Sequence, residues 1–265
     1  MQGGAEMAVP SAHPSAARAV QRVIVNADDL GLSEQVNDSI FAMIEKKRVS
    51  SATLIANGEA FSSAAAGARQ HADCSFGVHL NLTQYEPLSS GKGRRVLMAL
   101  DDRSAARWRT RGVSIALLSA VYEEFCAQIE RVQNELGTVS HLDSHHHVHT
   151  VPALFPVLAA VAKKYRIGKV RASRNLLGPS ETRSRSLMLK KSIWNFALRN
   201  GLGVRTTDYF TDLVTFRSAG LSEPCSVEVM VHPGHEKYAH ESEILGKEWW
   251  GELPARISFI NYHQL

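Results

Sequence analysis

The chain has 265 residues, of which 44% are hydrophobic and 21% charged, and its formal net charge is +4. This length suits one large domain with a full core, and the composition is ordinary for a globular protein. The sequence contains no nucleic-acid-binding motif and no apolar run near the roughly 18 residues that cross a membrane. Residues 1–17 also lack the apolar core of a secretory signal. We therefore expect a cytoplasmic protein without a nucleic-acid partner or stable membrane insertion.

The three cysteines, Cys74, Cys126 and Cys225, are widely spaced and form no CxxC pair. This pattern favours free thiols in a reducing compartment. Residues 1–20, rich in Ala, Ser, Gly and Pro, predict a disordered tail. No linker divides the remaining residues, so 21–265 are expected to form a single domain. A homodimer is considered beside a monomer, because two-fold dimers are the commonest oligomers.

Apolar runs alternate with helical patterns along the chain, which predicts parallel strands joined by helices in a barrel or an open sheet. Strands are expected at residues 22–26, 53–56, 76–80, 141–143, 169–172, 208–210, 227–231 and 257–262. Helices are expected at 33–47, 59–70, 115–136, 152–164, 184–200 and 241–250. The fold class is therefore α/β, a single (β/α) barrel-like domain in distorted or incomplete form.

Positive residues concentrate in three segments, at 94–95, 103–111 and 183–191. A solvated surface is the favoured interpretation, and a docking face for an anionic lipid or an acidic glycan is the alternative. The first two segments fall within residues 83–112, an irregular stretch that predicts a long loop. Long loops in compact domains commonly border binding sites.

Four groups of metal-ligand residues stand at the carboxyl ends of predicted strands, where parallel α/β proteins place their catalytic residues. They are Asp28 with Asp29, His79, the histidines between 141 and 149 that include His145, and His232 with His235. The third group alone holds five of the 12 histidines. Imidazole and carboxylate are the usual ligands of a catalytic divalent metal, so the four groups together predict a metal-dependent enzyme.

A catalytic divalent site needs about three protein ligands and an open position for water. One carboxylate and two imidazoles meet that need. The second aspartate of the pair can then accept a proton, and a late histidine can donate one. Zinc is the expected metal, with magnesium or a transition metal such as manganese, cobalt, nickel or iron as the alternative. Asn26, Asn81 and Asp143 are candidates for orienting the ligands.

Each group also has an interpretation in which it has only a structural role. The paired aspartates could cap the following helix, His79 could be a hydrogen-bonded core histidine, and the two late histidines could be turn residues. Spacing also leaves open which histidine of the triple run binds metal, because strand alternation places His145 and His147 on one side and His146 on the other. The joint placement of all four groups at one rim favours the functional interpretation.

Four motifs carry these residues: NADDLG, GVHLNLT, HLDSHHHVH and VHPGH. Together they resemble the YdjC-like carbohydrate deacetylases of the ChbG and HpnK types, and the resemblance extends from about residue 22 to residue 265. It implies a (β/α) barrel-like fold related in mechanism to the NodB-like polysaccharide deacetylases. Two features depart from the family pattern: Leu30 replaces the usual aromatic residue, and the Arg-rich segment 92–111 has no counterpart.

The resemblance implies a role for each residue of the predicted site: Asp29, His79 and His145 hold the metal, Asp28 is the general base, and His232 is the general acid. His235 is the alternative acid because it lies so close to His232. The implied reaction is hydrolysis of an N-acetyl group, with water attacking the acetyl carbonyl. Its products are acetate and a free amine on the sugar.

The sequence thus predicts a metal-dependent hydrolase that removes the N-acetyl group from an N-acetylated amino sugar. This sugar could belong to an oligosaccharide, a glycolipid or a glycosylated metabolite. Two other functions remain open: hydrolysis of a glycosidic or phosphoester bond, and non-catalytic binding of a metal or glycan. The reaction product separates the first from a deacetylase, because only a deacetylase releases acetate. The variant Asp28→Asn separates the second, because it would keep binding but lose any turnover.

Overall fold

The computed structural model describes residues 20–265, whose strands form one parallel sheet. The strands are β1 (Val20–Leu30), β2 (Ser51–Leu54), β3 (Ser75–Leu80), β4 (Leu142–Ser144), β5 (Tyr209–Asp212), β6 (Cys225–Val231) and β7 (Arg256–Phe259). Their order is β4-β3-β2-β1-β6-β5, and β7 pairs with the beginning of β1. The sheet curls into a half-barrel with helices around it, which confirms the predicted α/β class in its distorted form.

The helices pack around this sheet. They are α1 (Glu34–Glu45), α2 (Phe61–Ala68), α3 (Gly91–Met98), α4 (Ala105–Thr110), α5 (Ile115–Leu136), α6 (Phe155–Lys164), α7 (Arg185–Phe196), α8 (Leu213–Ser218) and α9 (Ala239–Leu245). The longest, α5, has the bounds that the sequence predicts and begins after Ser114, whose hydroxyl accepts a hydrogen bond from the Leu117 amide. Among residues 20–265, no helix combines the length and apolar composition that a membrane crossing requires.

The sheet is weakest between β4 and β5. Two isolated parallel bridges, Leu142 with Val170 and Lys169 with Arg205, are the pairing that joins this part of the barrel. The predicted strand at 169–172 is therefore reduced to bridges. Val170 and Ala172 are buried as in a strand, but the neighbouring segments pair with 169–172 over too few residues to form a ladder.

The predicted long loop at 83–112 is wrong, because it contains α3 and α4. Each of these short helices is anchored by one buried apolar side chain, Leu97 in α3 and Trp108 in α4, among several arginines. One buried apolar residue per helix, in helices of eight and six residues, is too little to mark a helical face in the sequence. The predicted disordered tail over 1–20 lies outside the described residues, except for Val20, which begins β1.

Candidate active site

The paired aspartates reach the same site because β1 contains a bulge. The pairing of β1 with β2 shifts its register between Ala27 and Leu30. Asp29 has a φ of 69°, in the left-handed region that aspartate tolerates better than most residues. In a regular strand, Asp28 and Asp29 would point to opposite faces. The aspartates do not cap the following helix, since Ser33 caps α1.

The three ligands expected from the sequence lie together. His79 Nε2 is 3.2 Å from Asp29 Oδ1, and His145 Nδ1 is 2.7 Å from the same oxygen. One ligand atom from each residue lies within 4.8 Å of the other two. All three side chains are buried, at the carboxyl ends of β1, β3 and β4. This geometry suits a single ion held by one carboxylate and two imidazoles.

The His79 ring is oriented by Asp143. Its Nδ1 lies 2.7 Å from Asp143 Oδ1, and the Thr53 hydroxyl donates a hydrogen bond of 3.1 Å to the other oxygen of that carboxylate. A carboxylate on one ring nitrogen leaves the other nitrogen for a metal. Burial would lower the pKa of His79, but Asp143 and Asp28 raise it to about 10. The pocket therefore favours a positive charge beside this ring.

The triple histidine does not continue as a strand. The chain leaves β4 at Ser144 and forms a 3-10 turn over His145–Thr150, in which His146 and His147 have φ values of 52° and 57°. The alternation expected for these histidines is therefore wrong. His146 bonds the Thr83 hydroxyl at 2.9 Å, whereas burial lowers the pKa of His147 to about 3 and keeps its ring neutral.

A buried arginine, which the motifs do not reveal, holds the centre together. Arg171 donates two hydrogen bonds to Asp28, of 2.7 and 2.6 Å, and its guanidinium also pairs with Asp143 and Glu228, both at 2.8 Å. Its side chain is fully buried. Burial would raise the pKa of Asp28, but Arg171 and then His79 hold it well below its usual range. The signal in the sequence is an arginine between Val170 and Ala172 in the predicted strand at 169–172.

The buried charges of this centre fit a divalent metal. Four buried carboxylates surround it, and three of them share the single guanidinium of Arg171. Within residues 20–265 the fourth, Asp29, has no cationic side chain beside it other than the imidazoles of His79, His145 and His235. The buried Nε2 of His145 has no hydrogen-bond partner among the described residues. Excess negative charge in a buried site is costly, and a divalent cation would offset it. The donor set of Asp29, His79 and His145 is therefore suited to such an ion.

The VHPGH turn packs closely against α1. Gly234 has a φ of 87°, and a Cβ atom at this position would lie 2.9 Å from Val36 Cα. The turn fixes His232, whose backbone amide donates a hydrogen bond of 2.7 Å to Glu241 Oε2. Burial would lower the pKa of His232, but Glu241 and the two aspartates raise it. His232 is thus more than a turn residue.

His235 lies nearer to the predicted ligands than His232 does. Its Nε2 is 3.1 Å from Asp29 Oδ2, yet the pair lacks hydrogen-bond geometry. An imidazole nitrogen and a carboxylate oxygen at this distance can bind the same metal ion. Both late histidines therefore belong to this centre, and the choice of general acid between them stays a prediction.

The residues expected to orient the ligands behave differently from one another. Asn26 donates a hydrogen bond of 2.9 Å to Asp28 Oδ1 and so helps to fix that carboxylate. Asn81 instead donates to the Gln84 carbonyl at 2.9 Å and to Asn57 Oδ1 at 3.0 Å. Asn81 therefore shapes the loop after β3 and contacts none of the predicted ligands.

The Arg-rich segment borders the centre, as expected for the region between β3 and α5. Arg109, in α4, donates a hydrogen bond of 2.9 Å to the backbone carbonyl of His146. The short helix α4 therefore lies directly against the 3-10 turn that carries the triple histidine.

Glu228 gives the folded protein a measurable response to pH. Burial raises its pKa from 4.5 to about 7, against the opposing effects of Arg171 and of the Tyr262 hydroxyl, which lies 2.5 Å away. The folded state therefore holds this proton more tightly than the unfolded state, so ionisation of Glu228 lowers the free energy of unfolding as the pH rises between these values. We expect Glu228→Gln to gain stability relative to the wild type from about pH 5 to about pH 8.

Urea unfolding of both proteins at the two pH values measures this gain. The exposed Glu252, whose oxygen lies 3.4 Å from Arg217, provides a matched control, and Glu252→Gln should follow the wild type. A parallel pH response of Glu228→Gln and wild type would contradict the prediction.

The sequence is similar to that of known proteins over most of its length. A family model described as YdjC-like protein matches residues 22–256. The chain belongs to the YdjC-like family. It is 32% identical to a carbohydrate deacetylase of Brevibacillus brevis over 249 residues, which cover 92% of each protein. It is also 38% identical to a carbohydrate deacetylase of Geobacillus stearothermophilus over 153 residues, which cover 57% of this chain and 60% of that relative.

A solved structure shares the fold of this YdjC-like chain. It is a protein of Enterococcus faecalis described as a proposed cellobiose-phosphate cleavage protein, with a TM-score of 0.71 and 24% sequence identity. The match covers 93% of this chain and 99% of the other. The family resemblance expected from the four motifs is therefore confirmed by sequence, and the barrel-like fold by structure.

Proposed function

We propose that this YdjC-like chain is a metal-dependent deacetylase that removes the acetyl group from an N-acetylated amino sugar. The observation that carries the proposal is the convergence of Asp29, His79 and His145 beside the ionised Asp28. Relatives with this family's sequence are named carbohydrate deacetylases, which supports the substrate class. The amino sugar would belong to an oligosaccharide, a glycolipid or a glycosylated metabolite.

Asp29, His79 and His145 would hold one divalent metal, which supplies Lewis-acid polarisation of the acetyl carbonyl and lowers the pKa of the attacking water. A donor set with two imidazoles favours zinc, and magnesium or a transition metal is the alternative. Asp143 keeps the His79 ring in place through its hydrogen bond of 2.7 Å to Nδ1. The ring nitrogen that faces Asp29 is therefore the one available as a ligand.

Asp28 would act as the general base. Arg171 holds the pKa of this carboxyl well below its usual range, so that Asp28 is ionised at neutral pH. Because the pKa of the attacking water would itself be lowered at a metal, Asp28 needs less basicity to accept its proton. The two hydrogen bonds from Arg171 and the one from Asn26 also fix the orientation of the carboxylate. The base thus needs no rearrangement before proton transfer.

His232 would act as the general acid. Glu241 and the neighbouring aspartates raise its pKa despite its burial, which favours the protonated ring. Glu241 lies on the Nδ1 side, 3.4 Å away, and so leaves Nε2 to give its proton to the sugar nitrogen as the carbon–nitrogen bond breaks. Acetate and a free amine are then released. His235 is the alternative donor, since its Nε2 is 3.1 Å from Asp29.

Acetate release tests this function. The purified protein is incubated with N-acetylglucosamine compounds that include chitobiose and nucleotide- and lipid-linked forms, with and without a chelator. We expect acetate from at least one compound, loss of release after chelation, and recovery with added zinc.

The same assay separates the rival functions. A shortened sugar or free phosphate without acetate would indicate glycosidic or phosphoester hydrolysis. If no compound is converted by protein with bound metal, the deacetylase proposal fails for this substrate class. Binding without turnover that survives Asp28→Asn would indicate a non-catalytic metal or glycan site.

The cytoplasm is the proposed site of the reaction. Cys74, Cys126 and Cys225 are all free thiols, and Cys74 and Cys126 are buried. Free thiols support a reducing compartment.

A further inference from the structure

Helix α7 presents an apolar face that the rest of the described chain does not cover. Leu189, Ile193 and Phe196 are 61%, 58% and 67% exposed. Their spacing of four and three residues places them on one side of the helix. On the other side, Trp194 is buried against the ring of Phe155, 5.2 Å away. The helix thus carries apolar residues on two sides, and only the side with Trp194 packs against the barrel.

The sequence around this face carries charge of one sign. Between Glu181 and Asp208 it contains six Lys or Arg residues and no Asp or Glu. Arg185 precedes Leu189 by about one helical turn, and Lys190 follows Leu189 directly. Both cations are exposed, and neither forms an ion pair within residues 20–265. Their charge is therefore available to an anionic partner.

We propose that α7 is a docking surface for a negatively charged lipid membrane. Exposed Leu, Ile and Phe side chains beside Lys and Arg are residue types with which helices bind the boundary between headgroups and acyl chains. The apolar side chains would enter the headgroup boundary, while the cations meet lipid phosphates. A second copy of this chain is a poorer match, because the cations beside the apolar face have no acidic residues between Glu181 and Asp208 to pair with in a two-fold interface.

The docking face is rigidly connected to the barrel. Asn195, on the inner side of α7, accepts a hydrogen bond of 2.7 Å from the Ser173 amide and donates one of 3.1 Å to its carbonyl. Ser173 follows Arg171, which binds Asp28 at the candidate active site, by two residues. A docked α7 would therefore hold the barrel in one orientation to the lipid surface. The docking itself does not depend on the proposed deacetylase activity.

Vesicle co-sedimentation tests the proposal. The full chain is mixed with vesicles of phosphatidylglycerol and phosphatidylcholine, and in parallel with vesicles of phosphatidylcholine alone. We expect binding to the anionic vesicles that weakens as salt is added. The triple variant Leu189→Ser, Ile193→Ser, Phe196→Ser should bind at least about tenfold more weakly. The double variant Arg185→Gln, Lys190→Gln should also lose roughly tenfold or more.

A matched control comes from another exposed apolar residue. Ile115, at the start of α5, is 87% exposed, and Ile115→Ser should bind like the wild type. Unfolding midpoints of all variants should stay near the wild-type value, because the changed side chains are exposed. Wild-type protein that does not sediment with anionic vesicles, or a triple serine variant that binds normally, would overturn the proposal. So would a wild-type dimer that the triple variant converts to monomer in sedimentation velocity, since α7 would then be a self-association surface.

Discussion

Asp29→Asn is expected to abolish bound metal and to reduce acetate release by at least about a thousandfold, while the protein stays folded. Asparagine has the same size as aspartate and is among the residues most tolerant of the left-handed backbone, so the φ of 69° at this position is retained. The substitution removes one buried negative charge without creating a cavity. Burial would raise the pKa of Asp29, but His145, His235 and His79 hold it well below its usual range, so the ionised carboxylate favours folding. The free energy of unfolding of the metal-free protein should therefore fall modestly.

Elemental analysis of the purified variant and the acetate assay measure these two effects. Asp73, which is exposed and pairs with Lys47, provides the matched control, and Asp73→Asn should keep both metal and activity. A metal-loaded Asp29→Asn protein with near wild-type kcat/KM would show that Asp29 is not a ligand. Loss of activity with full metal content would instead indicate a role in proton transfer.

Arg171→Met is expected to lower the free energy of unfolding by about 3 to 5 kcal/mol. The methionine fills much of the same volume, but the carboxylates of Asp28, Asp143 and Glu228 lose their shared guanidinium in a fully buried site. An uncompensated buried charge costs far more than the ion pair itself contributes. This loss is a large part of the stability of an ordinary domain, which is about 5 to 15 kcal/mol.

Urea unfolding with the metal chelated measures the change without a contribution from metal binding. Arg174 provides the control, because it also pairs with two carboxylates, Glu181 and Asp212, but in a half-buried position. Arg174→Met should cost about 1 kcal/mol or less. If Arg171→Met proves too unstable to purify, Arg171→Lys, which keeps the charge but not the forked geometry, should unfold at lower urea than the wild type. A cost for Arg171→Met no larger than that for Arg174→Met would refute the central role of Arg171.

The predicted ligands could be found from the sequence because each stands at the end of a recognisable strand. The apolar residues of β1 and β3 predict those strands by composition, β4 is marked only by Leu142 before the histidines, and the carboxyl ends of parallel strands converge at one rim. The residue pattern places the paired aspartates, His79 and the triple histidine at this rim, and the family resemblance selects Asp29 and His145 among them. The bulge in β1 could not be predicted from the sequence, because the dipeptide Asp28-Asp29 does not specify a positive φ at Asp29.

Arg171 and Glu228 could not be assigned from the sequence, because their function depends on distant partners. Arg171 lies 143 residues from Asp28 along the chain, and Glu228 lies 57 residues from Arg171. A charged residue between two buried apolar ones indicates an interior ion pair, but not its partner. The helices α3 and α4 could not be predicted for another reason: they are only eight and six residues long, too short to show a repeated apolar period.

The barrel is closed by an arginine where its backbone pairing is weakest. Arg171 follows the isolated bridge at Val170 and reaches Asp28 in β1, Asp143 in β4 and Glu228 in β6. The proposed general base and the scaffold thus share one ion pair. A descendant of this chain that gave up the reaction would still lose stability if either Asp28 or Arg171 changed alone, whereas Asp29 has no share in this ion pair. Retention of Asp28 in a relative is therefore poor evidence of activity, and Asp29 is the residue by which active and inactive lineages should be told apart.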